Sequence, residues 1–573
     1  MKPKKVISLL LAGISAVFSF SITACSEETN SSKVLKKDIY ADATAEFYWP
    51  EEQYLPTFNL PIADKLDYID LSSFSTEVGL LLTSMKAIVN KEEVRIYSKD
   101  RDVDWYDWVY EMGYSENDLV FWDDPYALLD KYITGEEDII ICDSTLTDTY
   151  NLASTLAGIT PALIATPEIY YKLCELGYDF NVIFDCRNRF SSVVDVYEYV
   201  FEEYFKTGLV NRRAIFGTSS GIAGCIREYA IASNGACVYL DATVEAERQL
   251  LIKYLELMES GESAFIGWFP NEVSSLNLLS KYGVAVWSGD FLSNMLFHSS
   301  MKTDRAQISR KIGSYKTLEN KIYVMMGVTD GDNLGSWMQQ GMKRSYSYVL
   351  EQNKKTTAFP ISWSISPMAY YLMPSVLRYY YDNANPELTD FYSAFSGVGY
   401  TFIGPWDSFD GLTTFFARSN TAMKDAQIDV VNTCYEPVGA LVNDMSDEHK
   451  NMIAEKLTNV RAIYDSCRIA ETKTVKGKLF TNFEDPYADK SEVVGGSSNV
   501  WKMLVEEAYM NYMISGKEEP QFIGIQGYSW DYETMYQEML KTYQYCAQKY
   551  GAEVEFVTMS QFTDLKIQYE ARK

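Results

Sequence analysis

The chain has 573 residues, a formal net charge of -28 and a sequence pI of about 4.6. Such a surface repels nucleic acid and other polyanions and leaves neutral or cationic ligands as the easier partners, unless the charge serves solubility alone. The length allows two or more cores, and with only His298 and His449 available a histidine-rich metal centre or metal-dependent deacetylation is a poor expectation, so no metal or cofactor is expected.

Lys2, Lys4 and Lys5 precede an apolar stretch from Val6 to Phe20, the charged and apolar regions of an export signal. Ile22-Thr23-Ala24-Cys25 looks like a bacterial lipobox, which implies a signal over residues 1–25 and Cys25 as the lipidated first residue of the mature chain. Residues 26–45 then form a polar tether, and a lipid anchor would hold a water-soluble body at the membrane. The apolar run is short for a spanning helix, which needs about 20 residues. The other eight cysteines contain no Cys-x-x-Cys pair. Cys142 and Cys434 lie in strand-like runs, where a free cysteine acts as a small hydrophobe.

From 46 to 315, short apolar strands near 94–97, 139–142, 182–184, 214–216, 237–240 and 265–269 alternate with amphipathic stretches. This predicts several small α/β lobes. The apolar spacing of 191–205 and 244–258 fits helices with one buried face. The polar segment 303–320 marks a boundary. Beyond it, over 316–573, strands near 321–328, 358–365, 391–396, 428–434, 478–482, 521–526 and 553–558 predict a C-terminal β/α barrel, TIM-like, with seven or eight strands. An open doubly wound sheet would give much the same pattern. The barrel is preferred because polar residues recur at nearly every strand's carboxyl end, where such folds place their ligands.

The most informative of those ends is Thr329-Asp330-Gly331-Asp332-Asn333. Two carboxylates and an amide around a glycine suit a loop-built site, although Asx turns use the same residues. An EF-hand is rejected, because the twelfth position counted from Asp330 is Gly341 rather than a glutamate. Glycosidic bonds are commonly cleaved by two carboxyl groups flanking the bond. Asp330 or Asp332 is expected to supply one and Glu436 the other. Asn333, Trp337, Trp363, Tyr400, Trp406 and Asp531 are expected to hold a sugar, with Trp530 as a further aromatic face. One competing pattern is Gly217-Thr218-Ser219-Ser220-Gly221, a Gly-x-Ser-x-Gly turn that could serve a serine esterase with Asp290 and His298.

Ser396-Gly397-Val398-Gly399-Tyr400 resembles the signature of the GxGYxYP putative glycoside hydrolase family, and the Thr329–Asn333 turn is similar to that family's acidic motif. Trp363-Ser364-Ile365-Ser366-Pro367 lies between them in the same order. Upstream, the run from Asn151 to Gly158, Asp185-Cys186-Arg187, Gly267-Trp268-Phe269 and Ser288-Gly289-Asp290-Phe291 with Asn294 resemble its amino-terminal lobes. Phe402 and Ile403 depart from the signature, where tyrosine and proline are expected. The resemblance implies a multi-lobed exported protein with a carboxyl-terminal barrel and a carbohydrate substrate. The expectation is thus a surface lipoprotein that binds and hydrolyses a glycan. The alternatives are a carbohydrate-binding lipoprotein without catalysis and, behind it, the Ser219 esterase.

Overall fold

The computed structural model describes residues 49–100, 106–301, 305–437, 444–466, 471–483, 490–527 and 531–573. The expected export signal and tether, Cys25 and Trp530 lie outside the described residues. Among the described residues no helix is long and apolar enough to cross a membrane.

Three small parallel sheets precede residue 300. Strands β1 (Ile62–Asp70), β2 (Val94–Lys99) and β3 (Leu119–Trp122) order as β2-β1-β3. Next come β4 (Asp138–Ile141), β5 (Ala162–Ala165) and β6 (Asn181–Asp185), in the order β5-β4-β6. The third sheet, from β7 (Ala214–Gly217), β8 (Ala236–Cys237), β9 (Ala264–Gly267) and β10 (Ala285–Ser288), runs β10-β9-β7-β8. Strands such as β5, β7 and β9 are buried at every position. Short continuous apolar runs of this kind fit parallel strands covered by helices on both faces. The helix Thr149–Ile159 is buried along its whole length.

The carboxyl-terminal unit is a nine-stranded sheet made of β11 (Ile322–Val328), β12 (Ile361–Ile365), β13 (Thr389–Ser393), β14 (Val430–Thr433), β15 (Ala462–Asp465), β16 (Lys473–Val475), β17 (Lys478–Asn482), β18 (Gln521–Gly527) and β19 (Val554–Phe556). Its order is β16-β17-β15-β14-β13-β12-β11-β18, with β19 along the first half of β11 and β16 as the lone antiparallel edge. All seven residues of β11 are buried. The sheet curls so that Tyr323, Met325, Tyr392, Tyr464 and Phe483 share one inner cluster. Among the described residues β17 and β18 do not pair, so the expected closed, TIM-like barrel is corrected to a curled half-barrel with an open seam.

One end of the curled sheet is plugged. The helix Met559–Glu570 lies across the strands' amino ends, where the Met559 N–H donates to Ser362 Oγ (2.9 Å) and the Ser560 N–H to Asp390 Oδ2 (2.6 Å). Arg310, itself buried, ties the boundary segment to the same end through Asp390 (2.7 Å) and Asp429 (2.8 Å). The opposite end, at the carboxyl ends of the strands, is where parallel sheets carry their functional loops.

Candidate active site

The loop after β11 is held under local strain. Asp330 adopts a φ of 79°, the left-handed region that non-glycine residues avoid and that recurs at functional sites. Gly331 lies against the backbone of β12, where a Cβ would come within 2.1 Å of the Ser364 carbonyl, and its N–H donates to Ser364 Oγ (2.9 Å). Asn333 caps the following helix by accepting the Trp337 N–H (3.3 Å). That helix opens as a π-helix over Leu334–Gly341, with the Met338 N–H reaching back to the Asn333 carbonyl (3.0 Å). Such wide turns are frequent at functional sites.

The third sheet docks on this loop. Ser288, at the end of β10, bridges to Asn333, and Val286 exchanges two backbone hydrogen bonds with Tyr400 (3.0 and 2.8 Å). Gly335 approaches the backbone of Phe291 and Leu292, and Gly399 seats on the Trp287 indole, whose Nε1 donates to the Val398 carbonyl (2.7 Å). These contacts bring the carboxyl ends of two parallel sheets together. Across the junction stands Glu272, exposed at the first turn of the helix Glu272–Lys281 that follows β9. Tyr400 Oη lies 3.5 Å from Glu272 Oε1.

Asp332 is 9% exposed. Burial, and after it the negative charge of Glu272, push its carboxyl up to about 7, against its own backbone N–H, which favours the charged form. The site thus pairs a sheltered carboxyl that keeps its proton near neutrality with a solvated one. Paired acids in unequal environments are how acid and base roles are divided.

The partner expected from sequence was Glu436. It follows β14, separated from β11 by two strands, and packs beside Gly404; the carboxylate whose charge acts on Asp332 is Glu272. Sequence reasoning missed Glu272 because it lies in an amino-terminal lobe, although Pro270-Asn271-Glu272 after Gly267-Trp268-Phe269 marks a capped helix at a strand end.

The aromatic expectations need correction. Trp337 and Trp363 are each 1% exposed and stack on one another at 6.4 Å between sheet and helix, so neither offers a face to a sugar. Trp406 is buried against Phe415, its Nε1 donating to Thr401 Oγ1 (2.8 Å). Asp531 is an exposed helix cap that accepts the Thr534 N–H (3.2 Å). Tyr400 reaches the site, with its Oη beside Glu272.

The esterase arrangement is not formed. His298 is enclosed by the Tyr97 and Phe297 rings, and burial, with Lys86 nearby, pushes it down to about 3. Ser219 Oγ accepts the Gly221 N–H (3.3 Å) and shares no hydrogen bond with His298. Cys142 is a free buried thiol as expected, but Cys434 is disulfide-bonded.

Fold and site together define a multi-lobed α/β protein whose half-barrel carries an acidic loop at its open end, against the third sheet. Residues 320–566 match the GxGYxYP putative glycoside hydrolase C-terminal domain, residues 212–300 the GxGYxYP third domain and residues 138–208 the GxGYxYP_N second domain. The chain belongs to the GxGYxYP family. It matches none of the curated proteins compared with it. Among solved structures it is similar to a putative hydrolase from Bacteroides thetaiotaomicron VPI-5482, with 16% identity and a TM-score of 0.72 over 91% of this chain and 99% of that one. At that identity the likeness speaks for the fold. A putative polysaccharide deacetylase from Mycobacterium smegmatis matches 46% of this chain and 96% of its own, at 10% identity and a TM-score of 0.31, too slight to carry an argument.

Proposed function

We propose that the protein is a glycoside hydrolase whose chemistry lies at the junction of the half-barrel and the third sheet. The observation that carries this reading is the buried Asp332 carboxyl, raised to about 7 beside Glu272. Asp332 donates its proton to the glycosidic oxygen as the bond breaks. Glu272 takes the second carboxyl's part, either attacking the anomeric carbon or taking a proton from the attacking water. Tyr400 orients Glu272, and Asp330 and Asn333 fix the loop on which Asp332 sits. The family's name and the hydrolase fold of its structural neighbour support the same class.

The chain's first residues support export and attachment to the membrane through Cys25; the hydrolase reading makes a glycan the partner, and the net charge of -28 speaks against nucleic-acid binding. A glycan-array screen of the mature chain, followed by reducing-end release on each hit, tests the reading. Asp332→Asn and Glu272→Gln are expected to bind as the wild type does and to lose turnover by roughly 10²–10⁴-fold, the usual worth of a general acid or base. Binding without turnover in the wild type would leave a carbohydrate-binding protein. Full turnover in Asp332→Asn would remove the mechanism.

A further inference from the structure

Gln526 is the last residue of β18 that points into the curled sheet. Phe522, four residues earlier, packs against the inner cluster, whereas Ile523 and Ile525 belong to the outer core, and strands alternate their faces. In register beside it stands Gly327, which contributes no side chain. The carboxamide is 5% exposed, and neither Nε2 nor Oε1 finds a hydrogen-bond partner among the described residues. A buried amide left unmet at both ends is costly, and native proteins rarely keep one without a reason.

The surroundings point to the reason. Tyr392 Oη lies beside Gly327, donates to the Val328 carbonyl (3.3 Å) and faces Ser364, whose Oγ accepts the Gly331 N–H between Asp330 and Asp332. Gln526 is therefore continuous with the acidic loop through two side chains. Further round the same inner face, Asn432 holds Ser466 on its oxygen (2.9 Å). These groups are hydroxyls and amides. The strand-end segments 329–333, 364–368, 394–400 and 434–437 contain no lysine or arginine. Lys566 enters from the plugged end and is held by Thr481 Oγ1 (2.9 Å) among the rings of Tyr464, Phe522 and Phe562.

We propose that the mouth of the half-barrel binds an uncharged sugar ring, with Gln526 as the residue that reads its hydroxyls by donating and accepting at once. This rests on the hydrolase reading and names its substrate class: neutral sugars are accepted and hexuronic acids, which would face Asp330, Asp332 and Glu272 with no cation among the described residues of those four segments to meet them, are refused.

The test uses the mature chain and its Gln526→Leu variant with p-nitrophenyl hexopyranosides of both anomers and the corresponding p-nitrophenyl hexuronides, binding being read by calorimetry. A neutral glycoside is expected to bind the wild type at least tenfold more tightly than its hexuronide and to lose at least tenfold in Gln526→Leu. The variant's melting temperature is expected to hold or rise, because the amide it removes is unmet. Equal binding of the hexuronide, unchanged binding by the variant, a variant that melts several degrees lower, or no binding by any member of the panel overturns the proposal. Binding through Gln526 without bond cleavage would instead defeat the catalytic reading alone. Cleavage that needs Asp332 but is indifferent to Gln526 would defeat this proposal alone.

Discussion

Replacing Asp332 by asparagine keeps the side chain's size and removes its charge, so it reads the carboxyl's environment directly. The group titrates near 3.8 when the chain is unfolded and at about 7 when folded. A folded value above the unfolded one means that the native state binds the proton more tightly. Its contribution is intact below pH 3.8 and is lost as pH rises through 7. At about 1.4 kcal/mol per pH unit, the shift corresponds to on the order of 4 kcal/mol of stability lost between about pH 4 and pH 8.5. Asparagine has no such slope. The buried amide adds a constant offset, which cancels when the two proteins are compared across pH. Denaturant unfolding of wild type and Asp332→Asn, followed by tryptophan fluorescence at several values in that range, should show the variant gaining on the wild type by a few kcal/mol toward high pH. Activity should meanwhile be lost at every pH. Two stability profiles that run parallel would refute the claim that Asp332 is sheltered and beside a like charge, and with it the assignment of the acid.

Glu272→Gln removes that like charge, so the Asp332 carboxyl should titrate at lower pH, as followed by carbon NMR of labelled aspartate; an unchanged value would mean that the two acids do not interact. Gly335→Ala forces a Cβ to within 2.5 Å of the Leu292 backbone nitrogen. Turnover should fall at least tenfold although neither acid is altered, and near-wild-type kinetics would show that the junction tolerates displacement. Arg310→Met strands Asp390 without its cation at the plugged end, which should destabilise the protein by about 3–5 kcal/mol in denaturant unfolding. The double variant with Asp390→Asn should recover part of that loss, and a double variant no better than the single one would argue against the pairing.

The parallel strands were legible in sequence where the apolar run was long or sharply bounded. Ile322–Val328 and Lys478–Asn482 are of this kind, and both lie where the pattern predicts them. Ala462–Asp465 was not, because four residues after a helix carry too little pattern. The run near 553–558 shows the opposite difficulty: it is a strand, but a three-residue one that pairs with the amino half of β11 instead of extending the ring. Closure of a barrel is a property of hydrogen bonding between first and last strands, and no local spacing encodes it. The aromatic expectations failed for a related reason. Trp337 and Trp363 sit beside a functional loop in the chain, yet a helix that packs on a sheet turns its large side chains inward, and burial takes precedence over proximity.

The acidic loop was legible because its glycine, its two carboxylates and its place after a buried strand are all local. The partner proposed for it is not local. Glu272 lies 60 positions before Asp332 and reaches it only because β10 pairs with the signature loop at Tyr400 and bridges to Asn333. The signature glycines acquire a physical meaning from that arrangement. Gly399 lets the loop lie flat on Trp287, and Gly397, at a φ of 126°, turns the chain so that Val398 can accept the indole N–H. The motif therefore acts as a joint between two sheets, and the tyrosine that ends it is delivered to Glu272 by the same pairing. This also explains why Phe402 is tolerated in place of tyrosine. Its ring is buried, and the segment is held at that position by backbone hydrogen bonding, the Phe402 N–H to Ser280 Oγ (3.0 Å) and the bridge to Cys434. It is the hydroxyl of residue 400, and not the ring two residues further on, that lies beside Glu272.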